Sequence, residues 1–336
     1  MSLEEDLKVI KGRLTGDKKK DIDTLFLAVD EFSLRPYSKQ LDFKITNMLT
    51  DIIKNCDPKT AGYLSRYIQS RSTEKYNKNL MLAKTFIDKK NYDKALSIIS
   101  DLESQVNASF KEAQAVSNSD TTFRYCFSAM QYAIAQTLFP AKNVVELPFD
   151  YVSLLTLKGQ AYYFLGKKEE SQNALKEAAE YDPVSPDLCF LQADMDMFNG
   201  NWISFTMDID KAHRFLYNPE DFYRYYLYVA AYYRNYKNDM INATLIMKAF
   251  SKPAEKPSNT LTKMPDKTKQ FLLSNEIPLD LDQDVLNIAI QQAHLAYNDK
   301  DIPAYKYFYN ILLNYRTPAE LDLLLSPNKP LVKLAK

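Results

Sequence analysis

The side chains in this chain that could do chemistry are few, and their spacing does not favour it. Its two histidines, His213 and His294, lie far apart in sequence, and we expect each to be a partly exposed side chain on a helix. Asp194 and Asp196 form a carboxylate pair of the kind used in acid–base catalysis or metal binding. Side chains two positions apart on a helix diverge, however. The sequence therefore predicts no catalytic site, no metal site and no enzyme activity.

A phosphate site is also disfavoured, although Gly159, Gly166 and Lys167 have the residue types of a phosphate-binding loop. The gap between the glycines is too long. The glycines also fall within and after a predicted helix, whereas a phosphate loop lies between a strand and a helix. We expect no cofactor.

Composition points to a helical protein of balanced charge. The 336 residues include only 6 glycines but 24 tyrosines and 18 phenylalanines, and 43 basic residues balance 43 acidic ones. A net charge of zero disfavours nucleic acid and anionic membranes as partners. The acidic start at residues 1–6 is unlike a signal peptide, and no apolar run approaches the ~20 residues of a membrane span. Three widely spaced cysteines suit a reducing compartment, so we expect a cytoplasmic protein.

The strongest pattern is an internal repeat. The interval from Gly166 to Gly200 is the same as the interval from Ala178 to Ala212. The clearest unit, 152–185, has large and small residues in the order Leu155, Gly159, Tyr162, Gly166, Leu175, Ala178 and Pro183. This unit resembles the tetratricopeptide repeat, whose period of about 34 residues equals that interval. Lys158 and Ser171 stand where that family prefers leucine and alanine.

Four more units follow the same pattern less closely. Unit 76–109 matches well, whereas units 186–219, 224–257 and 286–319 match loosely; 224–257 loses the turn glycine. Together the units cover about half the chain. The resemblance implies an all-α fold, a right-handed α-solenoid of antiparallel helix hairpins with divergent helical N-terminal and C-terminal parts.

Within a unit, small residues are expected where the two helices approach. Gly159 and Ala178 have almost no side chain at the predicted contact, and Leu175 and Tyr162 fill the space between units. One hairpin cannot bury its apolar face alone, so each unit depends on its neighbours.

Proline and apolar spacing divide the rest of the chain. A capping side chain precedes a first-turn proline at four predicted helix starts, Asp57-Pro58, Ser185-Pro186, Asn218-Pro219 and Thr317-Pro318. Apolar steps of three and four predict a long amphipathic helix over 121–138, followed by a connector at 140–148. The predicted organisation is N-terminal hairpins at 1–75, a solenoid at 76–250 with an inserted helix and loop near 110–150, a loop or linker at 251–268, and a C-terminal hairpin with a capping helix at 269–336.

A tyrosine-rich helix is the candidate binding site. Tyr225, Tyr228 and Tyr232 recur at helical spacing, and in the repeat they fall on the concave side of the first helix. The equivalent positions in the two preceding units are Tyr163 and Phe164, then Phe190, Asp194 and Met197. Aromatic rings with a polar tip suit a peptide groove. Ordinary packing between repeats would use the same residues, and the sequence leaves both interpretations open.

The resemblance implies a protein-interaction role without defining the partner. Some family members bind acidic carboxyl-terminal peptides with lysine, asparagine and arginine. Here Leu80, Lys84 and Leu157 occupy such positions, so that activity is not carried over. We expect a non-enzymatic adaptor or scaffold that binds a protein or peptide partner. The alternative is a regulator that uses the same solenoid to sense a peptide or other ligand. The sequence does not define the oligomeric state.

Overall fold

The chain divides into two compact units. A computed structural model describes residues 2–32, 35–115, 121–147, 149–251 and 256–325. The units are Met1–Leu82 and Ala83–Lys336. The domain boundaries expected at 75/76 and around 251–268 stay predictions.

All the described secondary structure of the first unit is helical. Its helices are α1 Leu3–Gly12, α2 Lys18–Glu31, α3 Ser38–Lys54 and the greater part of α4 Pro58–Asp88. A small apolar core joins α1, α2 and α3 through Ile10, Leu25, Ala28, Phe32, Leu41 and Ile45. Leu49 and Ile52 pack against that core at its edge, as their helical spacing predicts.

The second unit is also dominated by helices, so the chain is of the all-α class. They are α5 Tyr92–Ala115, α6 Ala129–Leu138, α7 Tyr151–Phe164, α8 Lys168–Tyr181, α9 Pro186–Phe198, α10 Trp202–His213, α11 Pro219–Asn235, α12 Met240–Ala249, α13 Pro257–Lys263, α14 Asp266–Ser274, α15 Gln283–Asn298, α16 Ile302–Leu313 and α17 Pro318–Leu324. Two short strands, β1 Thr121–Arg124 and β2 Asn143–Glu146, pair in parallel.

The long helix predicted over 121–138 is wrong in its first part. Residues 121–124 form β1, and α6 begins only after Ser128, whose hydroxyl accepts from the Gln131 backbone N–H at 3.1 Å. The run from Thr121 to Phe127 is rich in β-branched and aromatic residues, which favour a strand. Its apolar positions at i and i+4 fit an alternating strand as well as a helix. The connector predicted at 140–148 contains the partner strand β2, while Pro148 lies outside the described residues.

Consecutive helices pack in pairs that follow the predicted units. Helix α7 packs on α8, α9 on α10, α11 on α12 and α15 on α16. The loosely matching unit at 224–257 differs because its first helix is longer. Helix α11 has 17 residues, whereas α9 has 13. Because α11 is one helical turn longer, the left-handed residue after it, Asn238, lies beyond the position that the repeat period predicts. The start of α11 stays close to its predicted position.

In several helix pairs, the turn between the two helices contains a residue with a left-handed backbone conformation. Gly166 and Gly200 have φ of 76° and 72°, and Lys90, Asn238 and Lys300 have φ of 59°, 54° and 59°. In the α7/α8 turn the Lys167 N–H donates to Tyr162 O at 2.9 Å, and the Gly166 N–H donates to Tyr163 O at 3.0 Å. This is the Schellman pattern, which requires a left-handed residue and favours glycine. The units without a turn glycine thus keep the turn with lysine or asparagine.

All four proline-linked helix starts are confirmed. Asp57, Ser185, Asn218 and Thr317 each accept a backbone N–H from the first turn of the following helix. Thr317 also forms a capping box with Glu320.

The close approach of α7 and α8 predicted at Gly159 is confirmed, whereas Leu175, predicted to fill the space between units, packs against Gly159 within unit 152–185. A Cβ added at Gly159 would lie 2.7 Å from Cγ and Cδ2 of Leu175, closer than carbon atoms tolerate. The Ser171 hydroxyl donates to Gly159 O at 2.8 Å across the same contact. Ala178 is fully buried. Small residues therefore let α7 and α8 approach closely.

The segment predicted as a loop or linker at 251–268 contains helix α13 and the start of α14. Its two described prolines mark helix starts, since Pro257 occupies the first turn of α13 and Pro265 immediately precedes α14. The Tyr223 hydroxyl lies 2.5 Å from Thr260 Oγ1, which ties α13 to α11. Residues 252–255 lie outside the described part of the chain.

Candidate functional site

Helices α9 and α11 lie side by side with equivalent repeat positions in contact. The Arg224 guanidinium lies 4.4 Å from the ring centroid of Phe190, and the Tyr228 hydroxyl donates to Asp194 Oδ1 at 2.7 Å. Each pair spans one repeat period in sequence. Trp202 and Tyr236, also one period apart, stack with centroids 5.7 Å apart. The repeat period is thus visible in the side-chain contacts of these neighbouring units.

These residues form one cluster, which we call the 190–228 cluster and define as Asp187, Phe190, Asp194, Arg224 and Tyr228. The rings of Phe190 and Tyr228 stack, with centroids 5.0 Å apart and planes 13° apart. Arg224 Nη1 lies 2.6 Å from Asp187 Oδ1. Phe190 is fully buried, whereas Asp187 and Asp194 are exposed and Tyr228 is half-buried. The cluster therefore has an apolar base and a polar, accessible outer layer.

The electrostatic environment of the cluster is acidic. Desolvation raises the pKa of Asp194, although the hydrogen bond from Tyr228 and the charge of Arg224 oppose that rise. Desolvation, with Asp187 as the next cause, raises the pKa of Asp221 to about 6. The pKa of Asp150, the N-cap of α7, is raised by desolvation and further by Asp187. Several carboxylates thus lie close enough to disfavour one another's charge.

Tyr163 and Phe164, the equivalent residues of the preceding unit, belong to a separate aromatic group. Phe164 is 47 % exposed and stacks on Tyr92, with centroids 5.2 Å apart. The Tyr163 hydroxyl donates to Met195 O at 3.2 Å and so reaches the next unit. These two residues lie on the first helix of their unit, as expected, but none of the described contacts joins them to the 190–228 cluster.

The remaining predicted residues are distributed between surface and core. Tyr232 is half-buried and stacks on Phe205, with centroids 6.3 Å apart, and Met197 packs at the edge of the same core. Tyr225 is only 1 % exposed and packs against His213, with ring centroids 5.0 Å apart. Tyr225 faces the core because it is a helical neighbour of the buried Phe222 and Val229. Phe190 and Tyr225 are therefore too buried to contact a partner and can only support the exposed residues above them.

Sequence reasoning missed Arg224 and Asp187. Arg224 connects the aromatic stack to the acidic surface, and Asp187 fixes its guanidinium. The repeat period held the signal, because Arg224 occupies in its unit the position that Phe190 occupies in the preceding one. Applying that offset to charged residues as well as to tyrosines would have identified the cluster.

The groups considered for catalysis have other roles. His213 is buried instead of partly exposed; its Nε2 lies 2.8 Å from Asp280 O, and burial lowers its pKa. Asp194 and Asp196 diverge as predicted: Asp194 meets Tyr228, whereas Asp196 contributes to raising the pKa of Asp208 to about 7, a rise caused mainly by desolvation.

Metal binding and membrane insertion find no support in the described part of the chain. Within those residues, no three histidine, cysteine or acidic side chains are grouped as metal ligands would be. Burial raises the pKa of the Cys126 and Cys189 thiols to about 12, which disfavours reactive thiolates. None of the described helices has the combined length and apolarity of a bilayer-spanning segment.

Comparison with known proteins identifies the repeat. Paired helices, left-handed turn residues and contacts between positions one period apart define a helical-repeat protein. A family model described as tetratricopeptide repeat matches residues 152–185, one repeat length. The chain is thus a helical protein that carries a tetratricopeptide-like repeat at residues 152–185. No curated protein and no solved structure matches the chain significantly.

Proposed function

We propose that this chain is a non-enzymatic adaptor that binds a segment of a partner protein on the first helices of its repeats. Tetratricopeptide repeats generally mediate protein–protein interactions, which supports this class of function. We further propose that the helix pairs are antiparallel hairpins stacked into a right-handed solenoid, with α7, α9 and α11 on its concave side. The three unpaired cysteines, Cys56, Cys126 and Cys189, favour a cytoplasmic location.

The 190–228 cluster is the observation that carries the proposal. It combines a rigid aromatic stack with polar groups that remain accessible, the composition of interface hot spots. Leu227 on α11 is 46 % exposed and Phe198 on α9 is 80 % exposed, so apolar area is available on the same two helices. A peptide lying across α9 and α11 would bury these side chains and reach the Tyr228 hydroxyl and the Asp194 carboxylate.

The test truncates the two half-buried tyrosines of the proposed surface and checks separately that the protein still folds. Partners are captured from native cytosol, identified by mass spectrometry, and titrated against the purified wild type and the Tyr228→Ala/Tyr232→Ala variant. Truncation of hot-spot residues costs on the order of 2 kcal/mol, so binding is expected to weaken at least tenfold. Thermal unfolding and circular dichroism check that the variant is folded.

A matched control removes two tyrosines elsewhere. Tyr297 and Tyr305 contact each other on α15 and α16, with ring centroids 5.8 Å apart. Tyr297→Ala/Tyr305→Ala is expected to leave partner affinity unchanged. If every captured partner binds the Tyr228→Ala/Tyr232→Ala variant as tightly as the wild type, the proposed surface is wrong.

A further inference from the structure

The first-helix face around the 190–228 cluster carries an excess of negative charge. Helix α9 contributes Asp187 and Asp194 to this face and contains no lysine or arginine. The first turn of α11 contributes Glu220 and Asp221, and Asp150 caps α7. Arg224 and Lys237 are cations of this face: Arg224 already pairs with Asp187, and the Lys237 ammonium lies 5.6 Å from the ring centroid of Tyr232. The described charges of this surface therefore do not balance, although those of the whole chain do.

The acidic groups are close enough to interact. Asp187 contributes to raising the pKa of both Asp150 and Asp221, after desolvation. Asp150 caps α7, Asp187 lies in the first turn of α9, and Asp221 lies in the first turn of α11, so these carboxylates all lie at the N-terminal ends of the three helices. An incoming cation would relieve this repulsion, because an opposite charge within ~4–6 Å favours the ionised carboxylate.

Arg224 shows how a basic side chain binds at this face. Its guanidinium lies over the Phe190 ring at 4.4 Å and near the Tyr228 ring at 5.8 Å, and it contacts the Asp187 carboxylate at 2.6 Å. Aromatic rings and carboxylates together form the environment that guanidinium and ammonium groups prefer. The Asp194 carboxylate lies on the same face and forms no ion pair among the described contacts. The only described hydrogen bond that it accepts comes from the Tyr228 hydroxyl.

Exposed apolar side chains accompany the carboxylates. Phe198 lies one helical turn from Asp194 on α9, and Leu227 lies one turn from Arg224 on α11. A complementary segment would therefore alternate apolar and cationic side chains. An acidic peptide would place like charges on this face and be repelled.

We infer that the segment bound by this adaptor is basic, an extended or helical peptide with lysine or arginine spaced among apolar residues. The inference rests on the proposed function. Asp194 and the carboxylates at the start of α11 attract its cations, and the side chains of Phe198, Leu227 and Tyr228 contact its apolar residues.

The experiment compares three peptide pools of equal length with the same fixed leucine and tyrosine positions. The variable positions hold lysine and arginine in one pool, glutamine and serine in the second, and aspartate and glutamate in the third. Binding to the immobilised full chain is measured at low salt and at ~0.15 M, where the Debye length is ~8 Å. The basic pool is expected to bind best, and to weaken as salt rises.

Two charge variants localise the effect. Asp194→Asn/Asp221→Asn removes two charges from the face and is expected to weaken the basic pool on the order of tenfold. Glu169→Gln/Glu170→Gln removes two exposed charges from the first turn of α8, the second helix of its pair, and is expected to change binding less than about twofold, because exposed charges outside the first helices are screened by salt. Equal weakening by both variants would overturn the inference, because the attraction would then be unspecific.

The remaining outcomes separate the inference from the proposed function. If the neutral or acidic pool binds more tightly than the basic pool, and this binding is lost in Tyr228→Ala/Tyr232→Ala, the inference of a basic peptide is wrong. The proposed binding surface would still stand. If no pool binds in a way that depends on these tyrosines, both the surface and its basic partner are wrong.

Discussion

Helix pair α7/α8 and helix α11 bury their surfaces in different ways. In α7/α8 the contact depends on a missing side chain, because Leu175 occupies the space where Gly159 has no Cβ. Helix α11 has large rings instead, and Phe222, Tyr223, Tyr225 and Tyr226 are all at most 2 % exposed. The first contact lies within one repeat. The second reaches outside the repeat, to residues 256–282.

The hydroxyl groups of α11 explain the second arrangement. The Tyr226 hydroxyl donates to Pro278 O at 2.6 Å, and Tyr223 meets Thr260 at 2.5 Å. His213 on α10 lies 2.8 Å from Asp280 O, and Arg316 pairs with the Asp280 carboxylate at 2.6 Å. Small residues at a fixed period thus hold a repeat together, whereas aromatic residues with polar tips attach an irregular segment to it. The inward face of α11 has this structural role, while the proposed binding surface uses its outward face.

The largest predicted effect is loss of the Leu175 side chain. Leu175 is 4 % exposed, and its replacement in Leu175→Ala leaves a cavity between α7 and α8. The free energy of unfolding should fall by ~2–5 kcal/mol. Lys167→Ala, an exposed change in the adjacent turn, should have almost no effect. Equal melting temperatures for the two variants would contradict the α7/α8 contact.

A double-mutant cycle tests whether Gly159 is small because of Leu175. Gly159→Ala alone should destabilise by ~1–3 kcal/mol, since its Cβ would overlap Leu175. In the Leu175→Ala background the overlap is gone, leaving Ser171 O at 3.3 Å, and the better helix propensity of alanine should make the change neutral or stabilising. Chemical denaturation measures all four proteins. The same cost in both backgrounds would show that the two residues do not interact.

Tyr226→Phe tests the contrasting arrangement in α11. The ring and its stack on Phe250 remain, but Pro278 O loses its hydrogen bond. The expected cost is ~1 kcal/mol, with faster amide hydrogen exchange in α14 and in the backbone after it. Tyr297→Phe removes a hydroxyl from a tyrosine that is 61 % exposed and serves as control, with no change expected. If Tyr226→Phe leaves the hydrogen exchange after α14 unaltered, the Tyr226 hydroxyl does not hold this segment in place.

The turns between paired helices provide the smallest predicted effects, of opposite sign. Gly166→Ala places a Cβ at φ 76° and should destabilise by ~1 kcal/mol, although no atom lies within 4 Å of the new carbon. Lys300→Gly, at φ 59°, relieves the same strain and should be neutral or stabilising by up to ~1 kcal/mol. Thermal unfolding compares the two variants with the wild type. Destabilisation by Lys300→Gly of the same size as by Gly166→Ala would contradict a shared turn.

The sequence predicted those features that depend on short spacing. Gly159 at the close approach of α7 and α8, the turn glycines Gly166 and Gly200, and the capping residues all act on partners within one repeat length, where residue type and interval suffice. Leu175, predicted to lie between units, packs against Gly159 within its own unit. The helix pairs of the looser units were likewise predicted, because apolar spacing persists even where α11 gains a turn.

Features that depend on distant pairing were not predictable in this way. Strand β1 resembles a helix in its apolar spacing, and its pairing with β2 depends on residues beyond α6. The prolines of 251–268 indicate a linker unless the hydroxyls of α11 are known to contact that region. The face of Tyr225 could not be assigned from spacing alone, because neighbouring positions of α11 are also aromatic. In the candidate site, the tyrosines were visible in the sequence, but Arg224 emerged only once α9 and α11 were seen side by side.

The most direct test of the stacked repeat is a nuclear Overhauser measurement on the folded full chain. Trp202 is the only tryptophan, so its indole signals are unambiguous. Cross-peaks are expected from the indole ring to Tyr236, and from the Phe190 ring to Tyr228, pairs that join one unit to the next. Their presence would place successive units side by side in register. A folded, helical protein that lacks both sets of cross-peaks would contradict the repeat stack and the binding surface that depends on it.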